Sequence, residues 1–207
     1  VSSCMLDNQI GYIMLYEFSG DCAPAFQKQL DQLIDQGAKG LIMDLRDNPG
    51  GWVDDAVQLA DIFLPESTVA YLEKRDGSRE YYTAKAGALD IPLVVLINEN
   101  SASASEILSG ALQDYKKATL VGTKSFGKGV VQYVLPVGTK GAGMQLTIAQ
   151  YFTPNGNVVH KTGITPDVEV TMPEDASGVT YELGDLRDVQ LRKAYEVAQE
   201  LIKKRGN

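Results

Sequence analysis

Apolar positions change their period several times along the 207-residue chain, and the changes predict strands alternating with helices. Ile10–Phe18 is apolar and β-rich, which predicts a strand. Phe26, Leu30, Leu33 and Ile34 then recur at helical spacing and predict a helix over Asp21–Gln36, stopped by Gly37. Gly40–Leu45 (GLIMDL) is a short continuous apolar run, the pattern of a strand covered on both faces, and it ends in Arg46–Gly51 (RDNPGG). The next helix carries Val53, Ala56, Val57, Ala60 and Phe63 on one side. Asp54 and Asp55 fall in its first turn, where the helix dipole favours them, and Pro65 ends it.

Val69–Ala84 predicts a hairpin turning at Asp76-Gly77. Pro92–Asn98 (PLVVLIN) reads as another buried strand, and Ala104–Tyr115 as a helix with Ile107, Leu108, Ala111, Leu112 and Tyr115 facing inward. Thr119–Gly122, Val130–Leu135 and Met144–Phe152 follow as strands, Thr153–Gly156 as a turn and Asp188–Lys204 as an amphipathic helix. The alternation argues for an α/β fold with a largely parallel sheet. With 44% hydrophobic residues the chain has enough apolar material for one domain over residues 1–207.

Charge narrows the partners. A formal charge of −8 without a basic block argues against nucleic acid, whose phosphates would be repelled. No apolar run approaches the roughly 18 residues of a membrane span, and the N-terminus lacks the charged start and apolar stretch of a signal peptide. Cys4 and Cys22 allow one disulfide, and two unpaired side chains are the plainer reading. With no CxxC or His-rich cluster, no metal or other cofactor is expected.

Candidate chemistry sits in Asn98–Glu106 (NENSASASE) and Ser125–Gln132 (SFGKGVVQ). These place a serine where a strand gives way to a helix and a lysine in a glycine-flanked turn. The single histidine, His160, lies in a polar segment and reads as a packing or solvated residue, so lysine is the better candidate base. Ser103 and Glu106 also fit a capping box, so Ser103 alone could be only a helix cap. In the catalytic reading its hydroxyl lies at a helix N-terminus, where free N–H groups favour a developing oxyanion.

Lys128 alone could be an exposed turn residue. As a base it must be neutral, which shelter among Phe126, Val130 and Val131 would promote by penalising its charged form. Gln132, four residues on, could accept from the lysine amine and orient it. Asn48-Pro49-Gly50-Gly51 is either a plain turn or a source of unshielded N–H groups. Asp44, Arg46 and Asp47 read as an ion network.

Together the segments Gly11-Tyr12-Ile13, Gly40–Gly51, Asn98–Glu106, Val121–Gln132 and Gly163-Ile164-Thr165-Pro166-Asp167 resemble the carboxyl-terminal processing peptidases. These tail-specific proteases are Ser-Lys serine endopeptidases. The resemblance implies Ser103 as nucleophile, Lys128 as general base and Gln132 as the residue orienting the lysine. It also implies an oxyanion hole from Ala104 and either Gly50 or Gly51, and the residues leave that choice open. The implied fold is a ClpP/crotonase-like core, with a mixed, mostly parallel sheet flanked by helices. The implied substrates are polypeptides with apolar C-terminal tails, cut in the bacterial envelope or periplasm or in the thylakoid lumen.

Family members typically carry a PDZ domain ahead of this region, often with an anchor or signal sequence. The chain therefore reads as a protease core without them. Two competing readings stay open: a latent or non-catalytic scaffold keeping the fold, and an esterase using His160. Whether the core forms a homo-oligomer is also open.

Overall fold

The computed structural model describes residues 1–85, 87–138, 141–173 and 179–206. Strands β1 (Ser2–Leu6), β2 (Ile10–Met14), β3 (Gly40–Asp44), β6 (Leu93–Ile97), β7 (Ala118–Gly122) and β10 (Val168–Glu169) form one sheet in the order β1-β2-β3-β6-β7-β10. Only β1 runs antiparallel to its neighbour. A second, antiparallel sheet has the order β5-β4-β9-β8, with β4 (Ser67–Lys74), β5 (Arg79–Ala84), β8 (Val130–Val137) and β9 (Ala142–Phe152).

Helices cover both faces of the first sheet. Leu41 and Met43 of β3, with Leu93, Val95 and Ile97 of β6, share a core with helices α1 (Cys22–Asp35), α2 (Val53–Phe63) and α3 (Ala104–Asp114). The alternate residues Ile42, Val94 and Leu96 pack against Leu191, Ala194 and Ala198 of helix α4 (Val189–Arg205). Period-two alternation thus sends each strand's side chains into two cores, which is why these strands read as continuous apolar runs. The expected mixed, mostly parallel sheet flanked by helices is what the structure has.

Three expectations need correction. The strand expected over Ile10–Phe18 leaves the sheet after Met14, because its parallel partner β3 ends at Asp44. Leu15 makes one more bond, to the Asp44 carbonyl at 3.0 Å, and Phe18 instead bridges the glycine loop at Gly51. Tyr115 was expected to face inward but is 41% exposed, its hydroxyl donating to the Thr68 carbonyl at 2.9 Å. Ile34 likewise is at the surface. Strands β1 and β10, and the joining of the hairpin β4-β5 with β8-β9 into one sheet, go beyond the elements that the apolar pattern predicts. Among the described residues, no helix is long and apolar enough to cross a membrane.

Candidate active site

Parallel strands β3, β6 and β7 lie side by side, so the loops at their C-terminal ends meet along one edge of the sheet, where ligand sites of open α/β sheets tend to form. The loop after β6 and the helix α3 that it leads into carry four serines, two in each. Ser101 Oγ donates to the Leu45 carbonyl at 2.7 Å, Ser105 Oγ to the Asn48 carbonyl at 3.0 Å and Ser109 Oγ to the Ser105 carbonyl at 2.7 Å, and all three are buried. Ser103 differs. It is the one residue from Ser101 to Leu112 that is not buried, and its hydroxyl donates to nothing among the described residues.

The Ser103 backbone sits at φ 58°, ψ −114°, outside the regions L-residues normally occupy. Such a conformation costs on the order of 1–3 kcal/mol and must be held by its surroundings. Glu106 does part of the holding: the Ser103 N–H donates to Glu106 Oε2 at 2.9 Å. Capping-box geometry is present, but its serine half is loose. The Glu106 N–H goes to the Ser103 carbonyl at 2.9 Å, and no cap hydrogen bond ties down the hydroxyl.

The loop after β3 presses on this serine. A Cβ on Gly50 would lie 2.4 Å from the Ala102 carbonyl, 2.7 Å from Ser103 Cβ and 2.8 Å from the Ala104 nitrogen, so only glycine permits the approach. The Gly50 N–H is already committed to Asn48 Oδ1 at 2.9 Å. The N–H groups of Gly51 and Ala104 have no acceptor among the described residues. Of the two glycines left open by the sequence, Gly51 therefore has the available donor. Gly51 stands at φ +143°, and a Cβ there would lie 1.9 Å from the Phe18 carbonyl oxygen.

That contact yields a prediction. Gly51→Ala should destabilise the fold by about 2–4 kcal/mol and disrupt the loop. Gly77→Ala, also at positive φ but with nothing within 4 Å, should cost only about 1 kcal/mol. Denaturant unfolding of the two variants checks the contrast.

The loop after β7 carries the lysine, and its backbone is fixed to the serine segment. Phe126 N–H donates to the Ser101 carbonyl at 3.0 Å. The carboxylate of Glu106, fully buried, accepts from Ser125 Oγ at 2.6 Å, Gly127 N–H at 2.6 Å and Lys128 N–H at 2.8 Å, besides Ser103 N–H. The Tyr151 hydroxyl adds a second clasp, shared between the carbonyls of Ser103 at 3.0 Å and Lys128 at 2.5 Å. Burial and the neighbouring Glu106 carboxylate push that phenol well above its usual range, so it stays a donor. Ser125 Oγ in turn accepts from Ile164 N–H at 2.6 Å, which pins the Gly163–Asp167 segment to the same loop.

The side chains of this loop depart from expectation. Lys128 was expected to be sheltered among apolar neighbours, yet the residue is exposed and Phe126 is 65% exposed. The physical reason is that Gly127 and Gly129 face inward. A Cβ on Gly129 would lie 2.3 Å from the His160 nitrogen, so the backbone packs inward and the side chain between the glycines projects out. Gln132 was expected to accept from the lysine amine. Its Oε1 instead accepts from Gln145 Nε2 at 2.8 Å, and its Nε2 donates to Thr147 Oγ1 at 3.2 Å. These are cross-strand partners on β9, placed there by a shift in register between Val131 and Gln132.

Glu106 and Tyr151 are the residues the sequence reading missed as site components. The capping-box pattern accounted for Glu106 fully, and Tyr151 sits in an ordinary strand pattern. Only the fold shows either joining the two segments. His160 makes no side-chain bond to Ser103, and its Nδ1 is buried without a partner among the described residues. Cys4 and Cys22 are unpaired.

Of the ion network expected from Asp44, Arg46 and Asp47, the Arg46–Asp44 pair is present at 2.6 Å and is joined by Asp188, the N-cap of α4, at 2.7 Å. Asp47 stands outside it, its Oδ1 accepting from the side-chain amides of Asn98 and Asn100. The network braces the start of the glycine loop. A cavity of about 710 Å³ opens beside Arg46 and Asp188 on the α4 side, and its lining includes neither Ser103 nor Lys128.

The chain has relatives in a known class of peptidase. The sequence model described as Peptidase family S41 matches residues 9–170, and the chain belongs to that family. The carboxyl-terminal-processing protease of Synechocystis sp. is 48% identical over 165 residues, which make up 79% of this chain and 38% of that protein. The carboxy-terminal processing protease CtpA of Bacillus subtilis is 36% identical, covering 100% of this chain and 45% of its own length. The solved structure of a photosystem II D1 C-terminal processing protease superposes with a TM-score of 0.74 at 34% identity, over 84% of this chain and 47% of the other. The chain thus spans less than half the length of these relatives.

Proposed function

We propose that the chain is the catalytic core of a serine endopeptidase that cleaves polypeptides near their C-termini, with Ser103 as nucleophile and Lys128 as general base. One observation carries the reading. A partly exposed serine is held in a costly backbone conformation at a helix N-terminus, beside two N–H groups that lack partners among the described residues.

Lys128, once neutral, takes the Ser103 proton as Oγ attacks the peptide carbonyl. The N–H groups of Gly51 and Ala104 hold the oxyanion, with Gly50 supplying the close approach rather than a donor. The resulting ammonium returns its proton to the leaving amine, and water then releases the acyl-enzyme. A bound polypeptide lying over the exposed lysine would exclude water and favour the neutral amine, and Gln132 would exchange Gln145 for the lysine. The substrates are apolar C-terminal tails in an extracytoplasmic compartment, as the family resemblance implies.

A latent or scaffold module is the second reading. It is favoured by the commitment of Gln132 Oε1 to Gln145. Labelling with a fluorophosphonate separates the two. The peptidase reading expects covalent modification of Ser103 that is lost in Lys128→Ala. A scaffold would show no labelling that depends on both residues.

A further inference from the structure

Two of the most exposed large aromatic side chains among the described residues belong to the loops on either side of the one that carries Ser103. Trp52 is 66% exposed and Phe126 is 65% exposed. Aromatic rings of this size are usually buried for most of their surface, so exposed ones on a fixed backbone call for an explanation. Both are on fixed backbone. Trp52 N–H donates to the Phe18 carbonyl at 2.9 Å and its carbonyl accepts from Ala56 N–H at 3.4 Å. Its ring lies over Gly20, where a Cβ would come within 3.4 Å of Trp52 Cζ3. Phe126 is bonded to the Ser101 carbonyl and lies between Ser125 and Gly127, both held by Glu106.

Strand order sets which loops the two residues occupy relative to Ser103. In the sequence β3-β6-β7, Trp52 follows the loop after β3, Ser103 ends the loop after β6 and Phe126 lies in the loop after β7. A polypeptide crossing Ser103 transverse to the strands would therefore meet one ring on each side of the bond to be cut. Direction follows from the proposed chemistry. The lysine must give its proton to the leaving amine, so the departing segment lies toward Lys128 and hence toward Phe126. The acyl segment lies toward the Gly51 loop and Trp52.

We propose that Trp52 and Phe126 are specificity-determining contacts for apolar side chains flanking the scissile bond, Trp52 on the acyl side and Phe126 on the leaving side. This inference rests on the peptidase reading above and names the part of the substrate that its site selects. Covering an exposed ring with an apolar side chain is worth enough to separate apolar from polar residues by roughly tenfold to a hundredfold.

Trp52 is the only tryptophan in the chain, so its fluorescence reports directly on its covering. The Ser103→Ala variant would be titrated with a short peptide carrying valine and leucine on both sides of the bond that the unaltered chain cleaves, and with its counterpart carrying serine and aspartate at those positions. Binding would be followed separately by calorimetry. With the apolar peptide the emission should shift to the blue and acrylamide quenching should fall several-fold. The polar peptide should bind at least tenfold more weakly. In turnover assays Phe126→Ala should lose discrimination on the leaving side while keeping it on the acyl side. Calorimetric binding with unchanged emission, equal affinity for both peptides, or no binding at all would overturn the proposal. Failure of the peptidase reading itself would be seen separately, as absence of fluorophosphonate labelling of the unaltered chain.

Discussion

Ser103→Ala is expected to abolish peptide cleavage, with a loss on the order of 10⁶-fold in kcat, the scale reached when the nucleophile of a serine protease is removed. Folding should change little, because alanine inherits the same strained φ of 58° and loses only a loose cap, worth about 0.5–2 kcal/mol. Ser103→Gly should be just as inactive and yet more stable than Ser103→Ala, by about 1 kcal/mol or more. Glycine relieves the backbone strain and is itself an adequate cap. The pair separates a functional serine from a structural one. A serine retained only to cap α3 would leave activity intact in both variants, whatever the difference in stability between them. Peptidase assays together with denaturant unfolding of the two proteins provide the check.

Glu106 should produce the second large effect. Its carboxylate accepts from Ser103 N–H, Ser125 Oγ, Gly127 N–H and Lys128 N–H in a fully buried setting. Glutamine keeps the size but offers one acceptor oxygen and turns an NH₂ group toward donors. Buried donors left without acceptors cost about 1–3 kcal/mol each, and such networks do not add simply. Glu106→Gln is therefore expected to lose about 3–5 kcal/mol of stability. Because the same carboxylate aligns the serine and lysine backbones, kcat should fall more than a hundredfold in the protein that remains folded, with KM little changed. A drop in stability at full specific activity would mean that Glu106 holds the fold and not the site.

Much of the architecture was legible because each central strand is buried on both faces and each helix has one apolar side. Those two patterns survive without tertiary information. β1 begins Ser2-Ser3-Cys4 and β10 has two residues, so neither carries a periodic signal, and the second sheet depends on pairing between distant hairpins. In the site, segment identity was legible and side-chain geometry was not. The glycines around Lys128 announced a tight turn, but not that their inward packing would turn the lysine outward. The sequence offered two glycines for the oxyanion loop. Only the bond from Gly50 to Asn48 shows which N–H is already taken. Glu106 matched a capping pattern completely, and its bonds to Ser125, Gly127 and Lys128 span about twenty residues, beyond the reach of local pattern.

The central claim is that the amine of Lys128 and the hydroxyl of Ser103 act as one catalytic unit. A crystal structure of the chain carrying a peptidyl fluorophosphonate tests it most directly. The account predicts phosphorus bonded to Ser103 Oγ, an oxygen held by the N–H groups of Gly51 and Ala104, and Lys128 Nζ within about 2.6–3.2 Å of Ser103 Oγ. An adduct in which that amine remains in solvent, with the oxygen held by other groups, would contradict it.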